Sequence, residues 1–336
     1  MKIGIPRAFL YYEYFPLWKT FFEELGAEVV VSDPTTKEIL DEGVKTTAND
    51  ACLPLKIFHG HVVSLVGKVD YIFIPRLKSV AGGEYICPKF CGLPDMARYS
   101  VADLPPVIDT EVNVRKKSKN LRKAFLDAGK YLTKDKKKIM AAADKALFEN
   151  AIYLSMLEEG LLPQEAMDGK LCKRRKKDGL TVAVMGHMYN VYDPYVNMNL
   201  FEKLEKNGID IVTVEQVRRE TRDGYASRLA KKVFWTFARN IIGATCHFAE
   251  EENVDGVIYI MSFGCGIDSF VADICERTLR QKTKTPFLLL VIDEHTGQNG
   301  VDTRIEAFLD MLNRRKNYES NLSPHGEHIC AGKDAV

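Results

Sequence analysis

Residues 2–16, KIGIPRAFLYYEYFP, return in altered form at residues 181–194, TVAVMGHMYNVYDP. Each copy opens with a strand-length apolar run and continues into the same punctuation. It reads Tyr11-x-x-Tyr14-x-Pro16 in the first and Tyr189-x-x-Tyr192-x-Pro194 in the second. A stretch with helical spacing then ends at Gly26 in one copy and Gly208 in the other, and a β-rich run follows, AEVVV or IDIVTV. Val69-Asp70 leads the third run, DYIFIP, as Val254-Asp255 leads GVIYIM. Three matching marks in one order predict an internal repeat. The order strand, helix, strand, helix, strand, met twice, predicts two α/β units with parallel sheets.

The 336 residues are long enough for two such units, each with its own core. The expected division is a first α/β domain over 1–113, a helical insertion and basic linker over 114–178, a second α/β domain over 179–318 and a tail over 319–336. The insertion is read from Lys- and Ala-rich helical periodicity, closing with Pro163 and the basic run Lys173–Lys177. In the second domain the last strand is expected at Pro286–Val291, and Asp302 or Thr303 is expected to cap the closing helix.

Hydrophobic residues make up 46% and charged residues 28%, which excludes a disordered chain or a fibrous rod. Lys and Arg total 47 against 46 Asp and Glu, so no bulk attraction to nucleic acid or anionic membrane is expected. No apolar run approaches the roughly 20 residues of a membrane span. The opening MKIGIPRAFLYYEYF, broken by Pro6 and Arg7, does not read as a signal-peptide core. The expected location is the cytoplasm.

Eight cysteines then need an explanation, because a reducing cytosol leaves them as buried thiols or metal ligands. Ligands of open parallel sheets bind beyond the carboxyl ends of the strands. Cys265 lies just past GVIYIM, in Ser262-Phe263-Gly264-Cys265-Gly266, and Cys87 lies past DYIFIP, in Tyr85-Ile86-Cys87-Pro88. Cys52 sits in Ala51-Cys52-Leu53-Pro54, at the expected start of a helix running towards His61. Three cysteines from separate segments are thus placed on one rim, flanked by Gly or Pro, as in many iron–sulfur sites. With no C-x-x-C pair, a cluster is favoured over zinc, which stays open. Cys91 is a weaker candidate for the same site. Cys275 and Cys246 read as packed thiols in helices, Cys172 falls in the linker and Cys330 in the tail. Residues expected to line the substrate side of the cleft are Tyr11, Ser262, Gly264, Gly266, His295 and Arg304. No Ser–His–Asp order and no phosphate-binding G-x-x-x-x-G-K-[ST] loop is present, and no catalytic residue is assigned.

MKIGIPRAFLYYEYFPLWKTFFEELGAEVVVS, ACLPLK, YICPKFCGLPD, SFGCGIDS and DEHTGQNGVDTRIEAF together resemble the acyl-CoA dehydratase activase-related family. That family belongs to the wider group of 2-hydroxyacyl-CoA dehydratase subunits and double-cubane cluster proteins of anaerobes. The resemblance implies two Rossmann-like domains with an iron–sulfur cluster in the cleft between them. By position, Cys52, Cys87 and Cys265 look like three ligands of a [4Fe-4S] cluster with one iron open. A double cubane is the alternative, with Cys91 and Cys275 recruited. In dehydratase relatives a separate ATP-hydrolysing iron–sulfur activator injects one low-potential electron, and a ketyl radical at the thioester expels the 2-hydroxyl group. The implied partners are such an activator and an acyl-CoA or other small-molecule substrate, and a homodimer is one assembly left open. No coenzyme A site is evident in the sequence. Two other readings stand beside this one: a non-catalytic electron-transfer or accessory protein with a closed cluster, and a zinc-binding or cofactor-free two-domain binding protein.

Overall fold

The computed structural model describes residues 1–116, 120–169, 179–251 and 254–320. The basic run 173–177, Cys172 and Cys330 lie outside the described residues.

The chain opens with β1 (Lys2–Ile5), α1 (Tyr11–Glu24) and β2 (Glu28–Val31), followed by α2 (Lys37–Lys45) and α3 (Leu53–Leu65). Next come β3 (Tyr71–Phe73), β4 (Arg76–Ser79), α4 (Lys89–Ser100), β5 (Val107–Ile108) and β6 (Glu111–Asn113). Three helices follow, α5 (Asn120–Gly129), α6 (Lys136–Glu158) and α7 (Pro163–Met167). The second half begins with β7 (Thr181–Gly186), α8 (Met188–Val191), α9 (Leu200–Lys206) and β8 (Asp210–Thr213). A short 3-10 turn, Val214–Gln216, leads to α10 (Arg219–Ser227) and α11 (Thr236–Glu250). The described chain ends with β9 (Gly256–Ser262), α12 (Gly266–Lys282), β10 (Phe287–Ile292) and α13 (Gln298–Ser320).

Two four-stranded parallel sheets result, ordered β2-β1-β3-β5 and β8-β7-β9-β10, and β4 pairs with β6 in a small third sheet. Both large sheets therefore carry the order 2-1-3-4 of a doubly wound fold. The repeat seen in the sequence is a repeat of bonds as well. Asp70 accepts from the N–H of Lys2 at 2.7 Å and returns its own N–H to the Lys2 carbonyl at 3.0 Å. Asp255 does the same with Thr181, at 2.7 and 2.8 Å. Gly26 and Gly208 end their helices at φ +87 and +69, where a residue with a Cβ would be strained.

The second sheet is buried on both faces, as a parallel sheet flanked by helices must be. Val182, Val184, Ile258 and Ile260 pack with α9 and α13, while Ala183, Met185, Val257 and Tyr259 pack with α11 and α12. This alternation is the period-2 geometry of a strand. The helical stretch after residue 113 does not stand apart. Phe125 of α5 lies 5.1 Å from the Trp18 ring, Ala142, Ala143 and Ala146 bury the small face of α6 in the first core, and the Tyr153 hydroxyl donates to the Tyr12 carbonyl.

The closing helix starts earlier than expected. It begins at Gln298, so Asp302 and Thr303 lie inside it and neither is its cap. Asp302 instead pairs with Lys203, and the Thr303 hydroxyl donates back to the Asn299 carbonyl at 2.9 Å. The Asp293–Thr296 turn ahead of the helix, with Thr296 donating to Asp293 at 2.7 Å, stops the chain before the glycines rather than after them.

The halves are joined by polar as well as apolar contacts. Lys56 of α3, 2% exposed, pairs with Glu294 after β10. Thr35 donates to Asp193 at 2.5 Å and therefore accepts from His61 Nε2 at 2.9 Å. That leaves His61 Nδ1 to accept from Ser32 at 2.9 Å, a tautomer fixed by the network itself. Leu53 and Ile57 of α3 pack into the apolar cluster of the second sheet.

Candidate metal centre between the halves

In a sheet of order 2-1-3-4 the switch point lies between the first and third strands, where the chain leaves in opposite directions. Phe9 follows β1, and Cys87 follows β3 and the short β4. His187 follows β7 and Cys265 follows β9. These residues meet in one cavity, together with Cys52, with about 480 Å³ of empty space that is partly open to solvent. Aromatic rings of Phe9, Phe90, Tyr189, Trp235 and Phe237 complete its wall. The cavity thus sits where both sheets present their carboxyl edges to each other.

Each of the three cysteines lies at or beside a helix start. Cys52 and Cys265 are the N-caps of α3 and α12, both with extended backbone, and Cys87 precedes Pro88, the N-cap of α4. Pro54 fits the first turn of α3 because no N–H is needed there. Gly264, at φ +78, lets the loop of the second half approach the first, and a Cβ there would lie 3.6 Å from the Cys52 Cα. Helix N-termini carry partial positive charge, which favours thiolate or another anion.

Burial works in the other direction. It pushes the Cys87 thiol up, and the neighbouring Cys52 adds to that against the nearby N–H of Lys89. Cys265 is pushed up to about 12 by burial and then by Asp268, with smaller contributions from Cys52 and Cys87. Thiols this close raise one another because two anions in a dry cavity repel. A cation shared among them removes that cost. The Lys89 ammonium, 3.3 Å from Cys52 Sγ, is already one positive group at the rim.

Beside Cys265 stand two residues that sequence reasoning missed. The ligand atoms of His187, Cys265 and Asp268 all lie within 4.8 Å of one another. Asp268 is fully buried. Its Oδ1 accepts from Tyr259 at 2.5 Å and lies 3.7 Å from His187 Nε2, while its Oδ2 has no hydrogen-bond partner. Burial raises its pKa, against the pull of His187. The signal for Asp268 was its place in the first helical turn, three residues after Cys265. For His187 it was its position directly after β7, two residues before the repeated tyrosine motif.

The other expected residues fall as follows. Cys91, in α4, is half-buried and its carbonyl accepts from Arg76 at 2.9 Å. Cys275 is fully buried in the core of the second half, with Thr245 donating to its sulfur at 3.1 Å. Neither lines the cysteine cavity. Tyr11 stacks on Phe15 at 4.5 Å and borders a separate apolar pocket. Ser262 donates to Asn190 at 2.7 Å, and Gly266 opens α12. His295 is exposed near Glu294, and Arg304 donates to the Leu289 carbonyl at 2.6 Å, so both are occupied away from the cysteines.

A sequence-family model described as "CoA enzyme activase uncharacterised domain" matches residues 2–217. No curated protein gives a significant match. Among solved structures, a serine-to-alanine mutant of a Mn-bound periplasmic metal binding protein from Candidatus Liberibacter asiaticus aligns at 10% identity, with TM-score 0.24, over 93% of this chain and 100% of that one. A complex of SsGBP with GDP aligns at 10% identity and TM-score 0.24, over 93% and 99%. Superposition at that level carries no argument about fold or ligand. Among the described residues no helix is long and apolar enough to cross a membrane.

Proposed function

The chain belongs to the family of the CoA enzyme activase uncharacterised domain, and from that premise we propose an iron–sulfur protein with its cluster held by Cys52, Cys87 and Cys265. The observation that carries this reading is the meeting of three thiols, from helix starts in both halves, around one cavity. The donor set fits a [4Fe-4S] cluster, which prefers thiolates and, when bound, supplies one-electron reduction at low potential. The two-domain division at 1–113 and 179–318 is part of the proposal, because it sets ligands from both domains around the cluster.

The protein's own groups have distinct tasks in this reading. The N-termini of α3, α4 and α12, with the Lys89 ammonium, offset the thiolate charge. Phe9, Phe90, Trp235 and Phe237 limit water at the site. Asp268, whose carboxyl burial pushes upward against the pull of His187 and the Tyr259 hydroxyl, stands within ligand distance of Cys265 and His187. Electrons come from a separate ATP-hydrolysing activator, and the reduced protein acts on a small molecule, an acyl-CoA by family resemblance. Serine at position 52, 87 or 265 should remove the visible absorbance and the reduced-state EPR signal of protein purified without oxygen. Retention of both in all three variants would defeat the assignment.

The His187, Cys265 and Asp268 group favours a second reading, a mononuclear metal site such as zinc. It predicts one zinc per chain without sulfide, and loss of that zinc on His187→Ala.

A further inference from the structure

The cysteine cavity has a neighbour. A second chamber, with about 1230 Å³ of empty space partly open to solvent, lies between α1, α6, α10 and α11 and reaches the loop after β7. His187, Tyr189 and Phe237 line both spaces, so the chamber backs directly onto the cysteines. It stands at the carboxyl edge of the second sheet, bordered by Gly186 and Val214.

Most charged groups in its wall are already paired. Arg239 is held by Glu84 at 2.9 Å and by Asp223, and the side chain of Arg219 turns outward towards Asp223. Glu158 accepts from the Arg219 N–H at 3.2 Å, and Glu215 accepts from the Tyr192 hydroxyl at 2.5 Å. Arg222 is the exception. Among the described residues its guanidinium forms no ion pair, and its Nε is buried without a hydrogen-bond partner. Asn150 of α6 lines the same chamber, is 9% exposed, and its Oδ1 also lacks a partner. An unmatched buried acceptor and an unmatched donor of positive charge cost folding free energy unless something completes them.

Two carboxyls, Glu13 and Glu215, lie near Arg222, and among the described residues neither forms an ion pair with it. Burial lifts Glu13 to about 8, with Glu215 adding to the rise against Arg222, and burial also raises Glu215. At neutral pH Glu13 is therefore mostly uncharged, and Arg222 stands without a paired anion beside apolar walls such as Leu10, Leu157 and Ile241. A guanidinium without an ion-pair partner, half-buried as Arg222 is, is matched best by a carboxylate.

We propose that this chamber binds a small organic carboxylate that carries a hydrogen-bond donor, its carboxylate on Arg222 and its donor on Asn150 Oδ1. The inference makes the small molecule of the adjoining cysteine site a free carboxylate in place of an acyl-CoA, and rests on the proposed function for that meaning. The binding itself does not need the cluster.

The test is isothermal titration of the full chain, purified without oxygen, with 3-hydroxypropionate, propionate as donorless control, and inorganic phosphate. Metal content is measured on the same sample. Wild type should bind 3-hydroxypropionate saturably and more tightly than propionate or phosphate. Arg222→Gln should weaken it about tenfold or more, and Asn150→Leu should erase the preference over propionate. Saturable binding by wild type is expected whatever iron the sample carries, which separates failure here from failure of the cluster assignment. Absence of saturable binding by wild type, unchanged binding in a natively folded Arg222→Gln protein, or equal affinity for phosphate would overturn the proposal.

Discussion

Replacing Lys56 by Met tests how the two halves are held in register around the cysteines. Lys56 is one turn into α3, whose N-cap is Cys52, and its ammonium has two partners from different parts of the chain. It donates to the Asn49 carbonyl at 3.0 Å and to Glu294, which follows β10 in the other half. The Lys56 side chain is 3% exposed and that of Glu294 18%. Methionine keeps the volume and the apolar stem but leaves Glu294 and a backbone acceptor unmatched. Breaking a buried pair by removing one partner costs roughly 3–5 kcal/mol. Glu294 can still recruit some water, so the lower end, about 3 kcal/mol, is expected. The double variant Lys56→Met/Glu294→Leu removes both charges and should recover at least about 1 kcal/mol of that loss. Burial raises the Glu294 pKa, but the Lys56 ammonium, its own backbone N–H and His295 together leave the carboxyl below its usual range. The pair's stabilisation is therefore present above the ordinary glutamate pKa and fades as pH falls through the lowered value. Urea denaturation of wild type, Lys56→Met, Glu294→Leu and the double variant at neutral pH reads the cycle. A Lys56→Met protein within about 0.5 kcal/mol of wild type would refute the reasoning, as would a double variant less stable than the single one.

Other outcomes follow from the same geometry. A Cβ at Gly60 would stand 1.8 Å from the Ile39 carbonyl oxygen, so Gly60→Ala must push α2 and α3 apart and should cost about 3 kcal/mol or more in denaturant, with weaker metal retention at Cys52. Burial takes His61 down to about 3, so the unfolded chain binds the extra proton below its ordinary pKa near 6.5. Stability should fall as pH drops through that window, by at most about 1.4 kcal/mol per pH unit, and His61→Gln should flatten the slope in urea melts run from pH 7 to pH 4. Glu13 shows the opposite sign. The folded state keeps its proton up to about 8, so stability should decline as pH rises from about 4.5 to 8, and Glu13→Gln should remove that decline. Cys275→Ala should lower stability by about 1 kcal/mol, and both it and Cys91→Ser should leave iron content unchanged; loss of iron in either would place that thiol at the cluster.

Much of the fold could be read before any coordinates. The strand runs at 2–5, 181–185 and 256–261 lie in the elements expected, because parallel strands buried on both faces carry continuous apolar stretches that periodicity detects. The repeat was legible through Gly26 and Gly208, whose positive φ values give glycine a physical reason to be there. Two features were hidden. The second copy of α1 breaks into α8 and α9 because Asp193 accepts from the N–H groups of Tyr195 and Val196, a local turn that competes with helix and that no spacing rule reports. The start of α13 was misplaced because a capping pattern at Asp302 is equally an ion pair with Lys203, and only tertiary contact decides. At the site, the three cysteines were visible as thiols after strands and at helix starts. Arg222 and Asn150 were not, since they meet only where α6 and α10 line one chamber, and the local signals at His187 and Asp268 gain meaning only when β7 and β9 pair.

Iron and acid-labile sulfide on protein purified without oxygen test the central claim most directly. The account predicts about four of each per chain, with broad absorbance near 400 nm that disappears when Cys52, Cys87 or Cys265 becomes serine. A colourless protein that takes up neither iron nor sulfide on reconstitution, or one that carries a single zinc lost with His187, would contradict it.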